Sequence, residues 1–80
     1  MKYYDNNIAR IGDIVELDDG SPAIVEIICE TKQSAMELLG APENEAKAGI
    51  MFNSQGTLFY YHENAIIDFG FILIKRKGES

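Results

Sequence analysis

His62 is the chain's one histidine, and it stands in Tyr60-Tyr61-His62-Glu63-Asn64 with Asp68 downstream. An imidazole beside carboxylates has the composition of a general base. No serine or cysteine occupies a recognisable nucleophile turn, however, and neighbouring residues of an extended chain point to opposite sides. A structural or turn role for His62 is the simpler reading. Cys29, the one cysteine, sits beside Glu30 with no neighbouring cation to favour its thiolate. One histidine and one cysteine are too few ligands for a zinc site. Asp13, Asp18 and Asp19 lack the spacing of a calcium loop, and the glycines do not form a phosphate-binding loop. The expectation is a protein with no metal, no cofactor and no enzymatic activity.

Charge and aromatic content carry more information. Between Asp13 and Glu45 there are nine acids and a single base, Lys32, in a chain of net charge −6. Such a surface opposes the phosphate field, so no nucleic-acid partner is expected, while a basic protein partner is favoured. Glu16, Asp18, Asp19 and Glu26 flank one turn and are expected to form an acidic face, either recognising that partner or simply keeping a small protein solvated. The basic tail Lys75-Arg76-Lys77 is expected to be solvated and to protect the end of a strand from edge pairing. All eight aromatics lie outside residues 5–51. Leu58-Phe59-Tyr60-Tyr61 and Phe69 to Ile74 are apolar or amphipathic on both faces. A half-wet strand should alternate. Phe59, Tyr60, Tyr61, Phe69, Phe71 and Leu73 are therefore candidates for an oligomer interface along the last strand or for a tyrosine-rich groove, unless the helical insertion covers them.

These residues must be held by a mainly β chain. Ile11 to Leu17 and Ala23 to Glu30 read as strands of a hairpin around Asp18-Asp19-Gly20-Ser21-Pro22. Val15 and Leu17 share one face. In the second strand the drier face carries Val25, Ile27 and Cys29, with Cys29 packing as a small hydrophobe. Ser34-Ala35-Met36-Glu37 fits a capping box, and Gly40 stands where a left-handed C-terminal residue is wanted. Pro42 to Gly49 offers a second short turn, so a helical insertion is expected at about residues 33–48, docked through Met36 and either Leu38 or Leu39. Ile50 to Phe52 and Thr57 to Tyr61 form a second hairpin around Asn53-Ser54-Gln55-Gly56. Ala65 to Asp68 and Phe69 to Ile74 read as further strands, with Gly70 marking a bulge or a close backbone approach. No apolar run reaches the roughly 18 residues of a membrane span. Met1 to Asp5 lacks the apolar core of a signal peptide. A single domain over residues 1–80, in the cytoplasm and with no membrane partner, is expected.

The segment Ile11-Gly12-Asp13-Ile14-Val15-Glu16-Leu17, its turn, and Ala23-Ile24-Val25 resemble the opening hairpin of KOW- and Tudor-type modules. Gly56-Thr57-Leu58-Phe59-Tyr60 is a weaker echo of it. The resemblance implies an SH3-like small barrel, or failing closure a strongly bent five-stranded antiparallel sheet with the helical insertion. It carries no functional residue over, because the acidic first half departs from the basic platform of nucleic-acid-binding members. In size and acidity the chain is also similar to orphan accessory proteins of mobile elements, such as integron-cassette products, and to toxin-immunity proteins. The function expected is a non-catalytic binding protein, homo-oligomeric and engaging a protein partner. Its alternatives are an inhibitor whose acidic surface blocks a basic site, and a small-molecule or peptide binder using the tyrosine-rich groove.

Overall fold

The computed structural model describes residues 1–78. Five strands form one antiparallel sheet: β1 (Ile14–Glu16), β2 (Pro22–Cys29), β3 (Gly49–Ser54), β4 (Thr57–His62) and β5 (Ile72–Lys75), in the order β4-β3-β2-β1-β5. Two helices interrupt them, α1 (Lys32–Leu39) and α2 (Glu63–Asp68). β4 and β5 end the sheet on opposite sides and are not paired with each other. Phe71, just before β5, nevertheless meets Tyr61 of β4 edge-on at 4.9 Å between ring centres and Phe52 of β3 at 5.6 Å. The sheet therefore bends far enough to bring its two ends around one core. That core holds Tyr3, Val15, Val25, Ile50, Phe52, Ile66 and Phe71, all sealed from solvent.

The first hairpin follows its alternation. Val15 and Leu17 are buried while Glu16 is exposed, and Ile14 pairs with Ile24 and Glu16 with Pro22. β1 itself is shorter than the apolar run, because Ile11 and Gly12 form a turn, although the Gly12 amide still donates to the Val25 carbonyl at 2.8 Å. In β2 the pairing with β3 slips between Val25 and Ile27, leaving Glu26 as the extra residue of a bulge. An extra residue inverts the side-chain parity beyond it. Val25 and Ile28 consequently pack on the main core. Ile27 and Cys29 face a second cluster with Ala35 and Met36 of α1. The single dry face expected for Val25, Ile27 and Cys29 is thus divided between two cores, though Cys29 is buried.

The insertion is helical only over α1. Its cap is Thr31, whose side chain accepts from the Ser34 amide at 3.0 Å. Ser34 is therefore inside the first turn rather than capping it, because Thr31 reaches the orphan amide first. Gly40 closes the helix in the left-handed region as expected, and α1 docks through Ala35, Met36 and Leu39. Pro42 starts a turn whose carbonyl accepts from Glu45 and Ala46, with no second helix.

Residues Ala65 to Asp68 correct a strand expectation. They belong to α2, capped by His62, whose Nδ1 accepts from the Ala65 amide at 3.3 Å. Ile66 fills the core while Ile67 and Asp68 both stay exposed, so burial does not alternate as it would along a strand. Gly70 (φ 74°) then turns the chain out of α2, with open space around it, so it is neither a bulge nor a close approach. β5 begins only at Ile72. A real close approach occurs at Gly49, where any Cβ would meet the backbone of Tyr61 and His62.

One buried carboxylate joins the chain ends to this sheet. Asp13, 1% exposed, accepts from the Tyr3 hydroxyl at 2.7 Å, the Arg10 amide at 2.9 Å and Arg76 Nη1 at 3.1 Å. The same nitrogen of Arg76 also donates to the Ile8 carbonyl at 3.0 Å. The expectation of a solvated Lys75-Arg76-Lys77 tail is thus corrected for Arg76, which is drawn inward because an unpaired buried carboxylate would be costly. Stripping partners from a buried pair costs about 3–5 kcal/mol. A chain this size is stable by about 4–12 kcal/mol. Asp13→Ala is expected to lose about 3–5 kcal/mol in urea denaturation, a large part of the whole.

Burial, then the bond and charge of Asp13, push the Tyr3 phenol far above its usual 10.0. Below pH 10 both folded and unfolded chains keep this proton, and Tyr3 adds no pH dependence. Above it the unfolded chain releases the proton and the folded chain does not, so stability falls. Alkaline titration of the unfolding free energy should fall with a slope of up to about 1.4 kcal/mol per pH unit for this proton. Tyr3→Phe should remove that contribution.

Candidate functional site

The turn after β1 is built by its own polar residues. The Leu17 amide donates to the Ser21 carbonyl, the Gly20 amide returns to the Leu17 carbonyl, and Asp19 Oδ1 accepts from the Ser21 amide at 2.9 Å. That amide holds the exposed Asp19 carboxyl below its ordinary range. The β3–β4 connection is tighter than the four-residue loop expected. Only Gln55 and Gly56 lie outside the strands, at φ 53° and 87°. Both are positive, as a two-residue hairpin turn requires. Asn53 fastens it through its side-chain oxygen to the Gly56 amide. Ser54 Oγ donates to the Pro22 carbonyl at 3.1 Å, which ties the two hairpin turns together.

The two turns and the inward face of β4 enclose a groove of about 350 Å³. Asp18, Asp19 and Ser21 form one wall, Ser54, Gln55 and Thr57 another, with Leu17, Phe59 and Tyr61 completing it. The rings of Phe59 and Tyr61 lie nearly parallel at 6.4 Å, and Phe69 stands edge-on to Tyr61 at 6.0 Å. Phe59 is 40% exposed and Phe69 49%. The groove thus combines carboxylates, hydroxyls and open aromatic faces. A second hollow of about 230 Å³, around Ile14, Ile24 and Asn53 on the outer face of the sheet, carries no titratable group.

Of the acidic residues singled out in the sequence, Asp18 and Asp19 reach the groove. Glu16 is exposed on β1 beside the turn, opposite Pro22. Glu26 is carried to the far end of the hairpin, about 13 Å along the strand from Pro22, so the four do not form one cluster. Of the aromatic set, Phe59 and Tyr61 line the groove and Phe69 adjoins Tyr61. Phe71 is fully buried beneath them, and Leu73 is half-buried opposite Val15. Tyr60 faces the opposite side of the sheet, where its hydroxyl donates to the Lys47 carbonyl. Burial and the neighbouring Cys29 raise the Tyr60 phenol above its usual range. Ser21, Ser54, Gln55 and Thr57 were not anticipated as lining residues. Their sequence signal was turn chemistry alone.

His62 is engaged as the α2 cap. Among the described residues no group of three or more histidines, cysteines or acids is placed to hold a metal ion. Nor, among the described residues, is any helix long and apolar enough to cross a membrane. Comparison with protein-family models, curated proteins and solved structures found no match.

The two aspartates of the turn do different work. Asp19 holds the Ser21 amide, whereas Asp18 makes no side-chain bond among the described residues. Thermal unfolding should show a lower midpoint, by a few degrees, for Asp19→Lys and almost none for Asp18→Lys. Equal losses would contradict this division.

Proposed function

We propose that the protein is a non-catalytic binding module whose groove takes a lysine or arginine side chain from a basic protein partner. The observation that carries the reading is the meeting of the Asp18 and Asp19 carboxylates with the Phe59 and Tyr61 rings in one hollow. Carboxylates attract a cation over distance, and an aromatic face holds it at contact. The volume stands near the lower bound for small-molecule sites, a size suited to one side chain of a larger partner. The lowered Asp19 carboxyl keeps that wall anionic even in mild acid. Net charge −6 favours fast, salt-sensitive association with a basic surface. An inhibitor that masks a basic site would use the same contacts. For the scaffold, a sheet in which β5 returns beside β1 and the two ends curl around one core supports an SH3-like half-barrel.

The probe is a fluorescein-labelled decapeptide of alternating lysine and serine, with an aspartate–serine counterpart as control. Fluorescence anisotropy should show binding of the lysine peptide only, weakening steeply with salt. Asp18→Lys and Phe59→Ala should each weaken it by about threefold or more. Glu37→Lys, on the exposed side of α1, carries the same change of charge as Asp18→Lys away from the groove and should have a smaller effect. Equal effects of the two reversals, with none from Phe59→Ala, would overturn the groove as the site.

A further inference from the structure

The two edges of the sheet are treated differently. At β5 the N-terminal segment closes the edge: the Tyr4 amide donates to the Phe71 carbonyl, and the Leu73 amide donates to Asp5 Oδ2 at 3.0 Å. β4 pairs with β3 alone, from Ser54 opposite Thr57 to Gly49 opposite His62, without a register shift. A two-residue turn makes Ser54 and Thr57 a hydrogen-bonded pair, and such pairs alternate along the ladder. Thr57, Phe59 and Tyr61 thus spend their backbone groups on β3. The amides and carbonyls of Leu58 and Tyr60 point outward, and no backbone group of a described turn or loop bonds them. Sheet edges open to solvent are normally guarded by lysine, proline, a bulge or covering chain. β4 contains no proline and no acid, lysine or arginine, and Leu58 is 57% exposed.

The groove beside this edge selects what the edge takes. Residues directly opposite each other on paired strands put their side chains on the same face. Thr57, Phe59 and Tyr61 line the groove together with Asp18 and Asp19. Alternate residues of a strand added to β4 therefore stand beside those three and face the acidic hollow. The residues between them fall on the other face, beside Leu58 and Tyr60. Charge disfavours a second copy there, because net charge −6 repels it and it brings a like-charged groove of its own. A strand with a cation on its groove-facing side meets the opposite field.

We propose that the basic partner binds as an extended strand added to the β4 edge. Its backbone bonds the outward groups of Leu58 and Tyr60, and its residue opposite Phe59, a lysine or arginine, enters the groove. This rests on the groove reading above and adds the conformation of the segment recognised. In such strand addition the main chain supplies affinity and the alternate side chains supply specificity. The Phe59 and Tyr61 rings and the turn carboxylates then read one inward position of the added strand, while the edge itself tolerates any residue at the positions between.

The test uses the lysine–serine decapeptide and a counterpart N-methylated at every backbone amide, which keeps the charges and side chains but lacks the strand's donors. Anisotropy should show the methylated peptide binding about tenfold or more weaker. By NMR hydrogen exchange, the Leu58 and Tyr60 amides should exchange freely in the chain alone and become protected when the unmodified peptide saturates it. Leu58→Pro removes one outward donor without touching the β3 ladder and should weaken the unmodified peptide severalfold, with Leu58→Ala close to the parent. If the proline variant does not fold, exchange of the unaltered chain decides. Equal binding of the two peptides, still weakened by Phe59→Ala, would overturn strand addition and leave the groove reading standing. Binding of neither would overturn both. Leu58 and Tyr60 amides that gain protection from rising concentration of the chain alone would also overturn the proposal, and would assign the edge to a second copy.

Discussion

A carboxylate taken out of water must have its charge balanced and its lone pairs filled, and Asp13 meets both demands with groups from three separate stretches of chain. Tyr3 comes from the N-terminal segment, the Arg10 amide from the approach to β1, and Arg76 from beyond β5. Its own backbone carbonyl accepts from Val25 in β2. None of these partners can leave without stranding a buried charge, so the interaction behaves as a unit. It holds the N-terminal segment against the β5 edge and β5 against β1. Small domains bury a limited share of their surface, and here a polar hub supplements an apolar core in closing the fold.

The functional geometry follows from that closure. With β5 fixed beside β1, the sheet curls until Phe71 lies against Tyr61 and Phe52, and the inward face of β4 approaches the turn after β1. The bulge at Glu26 contributes by redirecting the far half of β2. Ile27 and Cys29 are then free to hold α1 on the opposite face, away from the groove. α2, capped by His62, fills the end of the core with Ile66 rather than extending the sheet. The consequence is a module with one edge closed by its own N-terminal segment, one edge open at β4, and an acidic, aromatic groove beside the open edge.

Much of the scaffold was legible in the residues. Alternation in Ile14 to Leu17, the Asp18-Asp19-Gly20 turn and Gly40 each carry a local signal, and the structure follows them. The mainly β, five-stranded antiparallel sheet follows from the same patterns. Other features have no local signal. The Asp13–Arg76 pair spans nearly the whole chain, and a basic run after a strand looks solvated until its partner is known. Ile66 and Ile67 favour strands by type, yet the His62 cap and the core's demand for one apolar side chain make them helical. A bulge cannot be read from Val25-Glu26-Ile27, which alternates without a break. For the site, the turn acids and the β4 aromatics were both legible as residue types. Their meeting was not, because it depends on curvature set by distant contacts. The same distance places Glu26 at the far end of the hairpin from Asp18.

Recognition by a local groove and attraction by a diffuse acidic surface make different maps. The most direct measurement is a titration of the ¹⁵N-labelled chain with the lysine–serine peptide, followed by amide chemical shifts. The groove account predicts shifts concentrated at Leu17 to Ser21, Ser54 to Thr57, Phe59 and Tyr61, saturating together. Shifts spread over Glu30, Glu37, Glu43 and Glu45 as strongly as over Asp18 and Asp19, with Phe59 unmoved, would contradict it.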